Sequence, residues 1–339
     1  MSKDSVSVNI NILKIIASIM VITIHVSAIN FPKIGKEEWD VTNIYNSFSR
    51  VCVPLFFMIS GYFLVGNNIS ISEFYKKRFV KIIPPILFWS VVFYFYNFLY
   101  LGAKAYNPAE LLIRPASTHL WYLYAIFGLY LVTPFISKIY VNSSFKERAF
   151  FVSLWFVTSS VIPIINATYG TLVNTGLFQL TSIYGYIGFF FVGAMIKDYP
   201  QQKGFVWSIL FLTAYISCSY LTMHFTKEVS MANGKPTQLF YSYLSPFVIA
   251  ASVSLFYFIT TLKFKRTFFE RIGSVFSSIA LGVYCIHTIF IGVLAKEFHI
   301  GGDVNPQWLY IAFTVASTFA LSCICSFLLS RIPYLRKVF

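Results

Sequence analysis

Apolar runs of membrane-spanning length follow one another along almost the whole chain, separated by short polar breaks. A helix needs about 20 apolar residues to cross a hydrocarbon core of roughly 30 Å. The runs predict ten spanning helices, at residues 10–29, 48–66, 82–101, 119–137, 149–166, 181–196, 205–223, 239–262, 275–295 and 308–330. The connections are too short to hold a soluble domain. The pattern therefore predicts an all-α, polytopic transmembrane helical bundle, with residues 1–339 forming a single integral-membrane domain and no appended soluble domain.

Composition supports this prediction and limits the partners. The chain is 57% hydrophobic and only 11% charged, whereas a soluble domain carries about 25% charged residues. A net charge of +14 would suit a nucleic-acid binder, but such proteins concentrate Lys and Arg on a soluble face. We therefore expect no nucleic-acid partner, and we expect the lipid bilayer to be the surface along which the basic residues are sorted.

Lys and Arg are distributed unequally between the two sides of the predicted bundle. Ten spans place both termini on one side. The termini and connections of that side hold 17 Lys and Arg residues, against 8 in the opposite connections. Because basic residues accumulate on the cytoplasmic side of membrane proteins, both termini are predicted to be cytoplasmic, in a multi-pass protein of the cell (inner) membrane.

Two ionisable residues lie inside the first predicted span, Lys14 and His25. Eleven positions amount to three helical turns plus about 20°, so the two side chains share a face at depths roughly 16 Å apart. Lys14 lies near the cytoplasmic end, where it is either a snorkelling anchor or a functional group. His25 lies too deep to snorkel, and ionisable residues at such depth are costly unless they face protein or water. His25 is therefore the first candidate for chemistry.

A basic cluster opens the third span on the predicted cytoplasmic side. Residues 75–81 read YKKRFVK, and Pro84-Pro85 follow, which we expect to kink or unwind the start of that helix. The cluster is either a seat for an anion or an ordinary positive-inside anchor.

Several polar and aromatic residues fall on the predicted outer side, near the depth of His25. An acidic residue there is expected to orient the His25 imidazole. The Trp and Tyr residues either line a binding site or belong to the aromatic belt at the membrane interface. We assign substrate binding on this side to Asp40, Arg50, His119, Trp121, Tyr122 and His287. The five cysteines fall in apolar runs, which indicates packing residues and neither disulfides nor a metal site.

Four motifs in this order resemble the acyltransferase-3 family of membrane O-acyltransferases. They are Lys14 with ten residues before His25, RVCVPLFFMISGYFL at residues 50–64, Arg78-x-x-Lys81, and HLWYL at residues 119–123. The resemblance covers the whole chain. It is strongest, over residues 39–62, to the branch that O-acetylates N-acetylglucosamine residues of enterobacterial common antigen.

The resemblance implies an acetyl-CoA-dependent O-acetyltransferase. Acyl-CoA is the implied cytoplasmic donor, a surface polysaccharide or lipid-linked sugar the acceptor on the outer side, and no metal is implied. His25 falls on the catalytic position, and Lys14, Lys77, Arg78 and Lys81 form the implied donor-binding group. Lys81 departs from the family's Arg-x-x-Arg motif, since lysine keeps the charge but lacks the planar fork of arginine.

Other functions remain open at this stage. A proton-coupled transporter or flippase of an anionic or sugar-linked substrate would also place histidines at membrane depth, although no internal repeat is visible. A glycan polymerase or glycosyltransferase usually has large extracytoplasmic loops, which this chain lacks. A purely structural membrane subunit is the remaining alternative.

Overall fold

Helices joined by turns and short connections, with no strand, make up the residues that the computed structural model describes. These are residues 3–67, 70–104, 107–177, 185–199, 204–262, 264, 266–298 and 306–339. The α-helices of this part are α1 (Lys3–Ser27), α2 (Glu37–Ser49), α3 (Cys52–Leu64), α4 (Ile71–Phe95), α5 (Trp121–Asn142), α6 (Phe145–Phe156), α7 (Ile162–Tyr169), α8 (Ile187–Asp198), α9 (Phe205–Ala232), α10 (Pro246–Thr261), α11 (Arg266–Glu297) and α12 (Gln307–Leu329).

Eight helical segments of the described chain are long and apolar enough to cross a membrane. They are Val8–Asn30, Glu37–Leu64, Ile71–Tyr100, Thr118–Asn142, Phe145–Tyr169, Phe205–Ala232, Phe268–Glu297 and Gln307–Leu329. Each overlaps a predicted span, so the all-helical, multi-pass fold is confirmed, although Glu37–Leu64 begins eleven residues before the predicted start at residue 48 because α2 is helical. The other two predicted spans fall on the shorter helices α8 and α10, and the total of ten crossings stays a prediction, as does the orientation of the termini.

The two shorter helices differ from the predicted spans at their starts. α10 begins at Pro246 and not at residue 239, because proline is favoured in the first turn of a helix, where its missing N–H has no partner to lose. Its 16 residues span only about 24 Å at 1.5 Å per residue. α8 begins at Ile187, and residues 181–184 of the predicted span lie outside the described residues.

The Pro84-Pro85 pair does not unwind the third span, contrary to the expectation. α4 starts eleven residues earlier than predicted, at Ile71, and continues through both prolines to Phe95. Ser70 caps its start by accepting a hydrogen bond from the backbone N–H of Glu73. Packing of buried residues on both sides of the prolines, such as Ile82 and Trp89, holds the helix together despite the two lost N–H donors.

α1 lies at the centre of the bundle. It packs against α2, α3, α10, α11 and α12. Ile10, Leu13 and Ala17 on this helix have no solvent exposure. A helix surrounded in this way can carry Lys14 and His25 because both side chains face protein and not lipid.

Glycine allows one helix pair to pack at very short range. A Cβ on Gly61 of α3 would collide with the backbone of Phe190 in α8, and a Cβ on Gly193 would collide with the backbone of Met58 in α3. Small residues are the usual solution for close helix packing in membranes. All five cysteines are free in the structure; Cys52 and Cys285 are buried, and the other three are partly buried.

Candidate active site

Three cations meet at one cavity of about 280 Å³, which we call the basic cavity. Its charged lining residues are Lys14 from α1 and Arg78 and Lys81 from α4. Arg78 and Lys81 are three residues apart, which places them on one helical face. The remaining walls are mostly apolar and aromatic and include Ser60, Tyr122, Tyr130, Ser277 and Tyr284.

The cations of the basic cavity have no acidic partner among the described residues. Lys14 Nζ donates a 2.6 Å hydrogen bond to Ser277 Oγ. The Arg78 Nε is buried without a hydrogen-bond partner. No carboxylate lines the described wall, so the cavity presents a concentrated positive field to whatever enters it. An anion is the ligand that such a field selects.

The structure does not bring Lys77 to this cavity. Lys77 forms a 2.6 Å ion pair with Glu73 on the exposed side of α4. Four residues separate the pair, the spacing at which side chains meet on a helix surface. Of the four predicted donor-binding residues, Lys14, Arg78 and Lys81 therefore share a site and Lys77 lies outside it.

Three histidines form a second centre, which we call the imidazole cluster. His25 comes from α1, His119 from the 3₁₀ turn Thr118–Leu120, and His287 from α11. Their ring centroids are 6.1 Å apart for His25 and His119, 5.1 Å for His25 and His287, and 5.2 Å for His119 and His287. None of the described side chains forms a group of three or more His, Cys, Asp or Glu residues arranged to hold a metal ion.

His25 faces a small cavity of about 20 Å³, the imidazole cavity. Its other walls include Cys52, His119, Trp121, Tyr243 and Tyr284. A space of this size holds about one water molecule. A hydroxyl group fits into it, but a sugar ring does not, so a larger reactant enters only after the wall has moved.

Tyr284 lines both cavities. Its hydroxyl donates a hydrogen bond to the backbone carbonyl of His119, and its ring lies 5.4 Å from that of Tyr122. Tyr284 is therefore a lining residue common to the basic cavity and the imidazole cavity, and its side chain is held in place at its tip.

Two stacked aromatic side chains form part of the wall of the imidazole cavity. Trp121 and Tyr243 stack with ring centroids 5.8 Å apart. Arg50 lies next to this wall, with its guanidinium carbon 4.4 Å from the ring centre of Tyr241 and 5.8 Å from that of Tyr243. Within the described part of the chain, Arg50 forms no ion pair with a carboxylate, and its Nε is buried without a partner.

The predicted substrate-binding residues are distributed differently from the expectation. Trp121 and His119 line the imidazole cavity, whereas the neighbouring Tyr122 lines the basic cavity. Asp40 does not orient His25; it pairs with Lys227 at 2.8 Å on a partly exposed surface. His287 is fully buried and lies next to His25, outside the linings of both cavities.

Sequence reasoning missed Ser277, Tyr284 and Tyr243. Ser277 and Tyr284 are seven residues apart on α11, or about two helical turns, so they share a face. A search of the His287 helix for polar residues at helical spacing would have found them. Tyr243 lies in a connection, and nothing in its sequence context points to His25.

Comparison with known proteins gives one family and one relative. Residues 7–327 match the model of the acyltransferase domain family, acyltransferase-3. The chain is 24% identical over 346 aligned positions to a protein of Enterococcus faecalis described as an amino-acid racemase. The match covers 95% of this chain but 45% of the relative, so the chain spans less than half the length of that protein. No solved structure matches the chain.

Proposed function

The chain belongs to the acyltransferase-3 family, and from this premise we propose that it is a membrane O-acetyltransferase. It moves an acetyl group from acetyl-CoA to a hydroxyl of a surface polysaccharide or lipid-linked sugar. The observation that carries the proposal is that one residue, Tyr284, lines both the basic cavity and the imidazole cavity next to His25. An acyl carrier with a charged head and a slender arm fits this arrangement.

The basic cavity supports binding of the donor. The phosphates of CoA are expensive to remove from water, and Lys14, Arg78 and Lys81 offer charge-assisted hydrogen bonds to them at the cavity. A cavity of about 280 Å³ accommodates the pantetheine arm and leaves the nucleotide at the mouth. On the basic-residue bias, this mouth faces the cytoplasm.

The distance along α1 agrees with a donor that reaches inward. Lys14 lines the basic cavity and His25 the imidazole cavity, roughly 16 Å apart on one helical face. The thioester carbonyl at the end of the arm has to pass the Tyr284 side chain to meet the acceptor hydroxyl beside His25. Water is limited to about one molecule at this point, which protects the thioester from hydrolysis.

Transfer then requires one proton to move. A neutral His25 takes the proton of the acceptor hydroxyl as its oxygen attacks the thioester carbon. The C–O bond forms, the C–S bond breaks, and the sulfur leaves as thiolate, which takes the proton back from the imidazolium. A route in which His25 is transiently acylated uses the same residue as a nucleophile.

The acceptor side is formed by Trp121, Tyr243 and Arg50. Aromatic faces of this kind bind sugar rings, and the stack of Trp121 on Tyr243 must open to admit one. The resemblance over residues 39–62 makes N-acetylglucosamine residues of a lipid-linked or polymeric glycan the first acceptors to test. In this proposal the acceptor is reached from the outer side of the inner membrane.

Turnover of acetyl-CoA by the purified protein in proteoliposomes tests the proposal. We expect acetylated glycan and free CoA to form in equal amounts with the wild type and neither with His25→Ala. The matched control is His224→Ala, a histidine of α9 in ring contact with Tyr220 and Phe225. Uptake of a labelled glycan that needs no acetyl-CoA and releases no CoA would instead favour a transporter.

A further inference from the structure

One ring nitrogen of His287 is buried without a partner. Its Nδ1 lies 2.6 Å from the backbone carbonyl oxygen of Tyr284. A carbonyl only accepts hydrogen bonds, so Nδ1 carries the hydrogen and, in the neutral ring, Nε2 carries a lone pair. The residue has no solvent exposure, and Nε2 has no hydrogen-bond partner among the described residues. A buried acceptor of this kind costs stability unless something donates to it.

His119 cannot be the donor. Its Nε2 lies 3.1 Å from the backbone carbonyl of Cys285, which fixes the hydrogen of the neutral ring on Nε2. Its Nδ1 then accepts from Ser117 Oγ at 3.0 Å. Both nitrogens are engaged, and the only N–H of this ring is committed to Cys285.

His25 is the remaining histidine of the imidazole cluster and is the candidate donor to His287 Nε2. Its side chain has no hydrogen bond within the described part of the chain, and its ring centroid lies 5.1 Å from that of His287. An N–H···N hydrogen bond of about 2.9 Å places two imidazole centres on the order of 5 Å apart. A rotation of the His25 ring within its present position is enough to direct one N–H at His287 Nε2.

We propose that His287 is a positioning residue for His25. Its Nε2 accepts a hydrogen bond from one ring N–H of His25, and its own Nδ1–H is anchored on the Tyr284 carbonyl. This fixes the His25 tautomer and turns the other His25 nitrogen, with its lone pair, toward the imidazole cavity. The inference deepens the proposed function and rests on it for the reaction, although the hydrogen bond itself does not depend on it.

The hydrogen bond between His25 and His287 stabilises the charge that develops on His25 during transfer. The free nitrogen of His25 takes the hydroxyl proton, and the resulting imidazolium donates more strongly to His287 Nε2, as ionised donors do. No proton passes to His287. When the thiolate leaves, it recovers the proton from His25, so both histidines return to their starting tautomers. His287 thus has the orienting role that the acidic residue plays in the Ser-His-Asp triad, but it carries no charge.

Paired substitutions of His287 separate positioning from packing. His287→Asn keeps a group that can donate to the Tyr284 carbonyl but has no atom at the Nε2 position, whereas His287→Gln places an amide oxygen near that position. We expect His287→Gln to retain kcat within about threefold and His287→Asn to lose about tenfold to a hundredfold. The KM for acetyl-CoA should be unchanged in both, because the basic cavity is intact. Equal losses in the two variants, or a greater loss in His287→Gln, would overturn the proposal.

Nitrogen NMR of histidine in proteoliposomes tests the hydrogen bond without requiring activity. With ¹⁵N-labelled histidine, the His287 signals are assigned by their loss in His287→Gln. We expect Nδ1 protonated and Nε2 unprotonated, with an Nε2 shift typical of a hydrogen-bonded acceptor that moves in His25→Phe. An Nε2 that is protonated, or that does not respond to His25→Phe, would refute the inference. A wild type that fails to acetylate any glycan but shows the expected spectrum would reject the proposed function alone.

Discussion

Tyr284 donates a hydrogen bond from its hydroxyl to the backbone carbonyl of His119, and it lines both the basic cavity and the imidazole cavity. The bond fixes the tip of the ring, while burial against neighbouring aromatic residues fixes its plane. The two cavities therefore share one side chain whose position is fixed.

Removal of the Tyr284 ring should uncouple the consumption of acetyl-CoA from transfer to glycan. In Tyr284→Ala the two cavities merge, and water reaches the thioester. We expect acetyl-CoA hydrolysis without acceptor to rise about tenfold while transfer to glycan falls. Tyr284→Phe keeps the ring and should stay coupled, with a smaller loss from the missing hydrogen bond. The ratio of free CoA to acetylated glycan measures the effect, and a ratio near one in Tyr284→Ala would contradict it.

Substitutions on α4 should show that Arg78, which lines the basic cavity, contributes to acetyl-CoA binding and that Lys77 does not. Charge-assisted hydrogen bonds to phosphate contribute about 1.5–3 kcal/mol each, so Arg78→Ala should weaken acetyl-CoA binding roughly tenfold or more, and Arg78→Lys less. Lys77→Ala is the control, because Lys77 pairs with Glu73 away from the cavity and should bind normally. Calorimetric titration measures the affinity for acetyl-CoA. Equal affinities in Arg78→Ala and Lys77→Ala would mean that the basic residues of α4 only set the membrane topology.

His25 is expected to carry the transfer step. A general base contributes about 10²–10⁴-fold to rate, so His25→Gln should bind acetyl-CoA normally yet form acetylated glycan at no more than about a hundredth of the wild-type rate. Glutamine can hydrogen-bond but cannot accept the proton at neutral pH. Turnover is compared per folded molecule, judged by thermal stability and CoA affinity. A His25→Gln protein that retains more than about a tenth of wild-type turnover would rule out the general-base role.

The contact between α3 and α8 should be the most sensitive packing site for small substitutions. Gly61→Ala places a Cβ against the backbone of Phe190, and overpacking of this kind typically costs about 1–3 kcal/mol. Gly128→Ala on α5 is the matched control, since a methyl group at that position would have no heavy atom of another residue within 4 Å. Thermal unfolding in detergent should show a lowered midpoint for Gly61→Ala alone; equal midpoints would contradict the close contact.

The orientation is tested by cysteine labelling of intact cells. Tyr334 is 91% exposed near the C-terminus, and Ile113 is 81% exposed in the connection between α4 and α5. In a background without the five native cysteines, a cysteine at position 113 should react with an impermeant reagent and one at position 334 should not. Labelling at position 334 from outside would reverse the assignment of sides.

Local patterns in the sequence determined the framework of this protein. Hydropathy is a property of contiguous residues, so eight long apolar helices were predictable. Helical periodicity is equally local, so the sequence alone places Lys14 and His25 on one face of their helix and Arg78 and Lys81 within one turn of theirs. The unequal distribution of Lys and Arg between the two predicted sides of the membrane is likewise read from the sequence alone.

Tertiary packing decided which residues meet. Helices α1 and α11 and the turn at His119 are brought together only by packing between segments far apart in the sequence, and this packing joins His25, His119 and His287. The same packing directs adjacent Trp121 and Tyr122 to different cavities and leaves Asp40 with Lys227 instead of His25. Sequence spacing limits where a side chain lies on its own helix, whereas its partner depends on the rotation and register of the neighbouring helices, which no local pattern records.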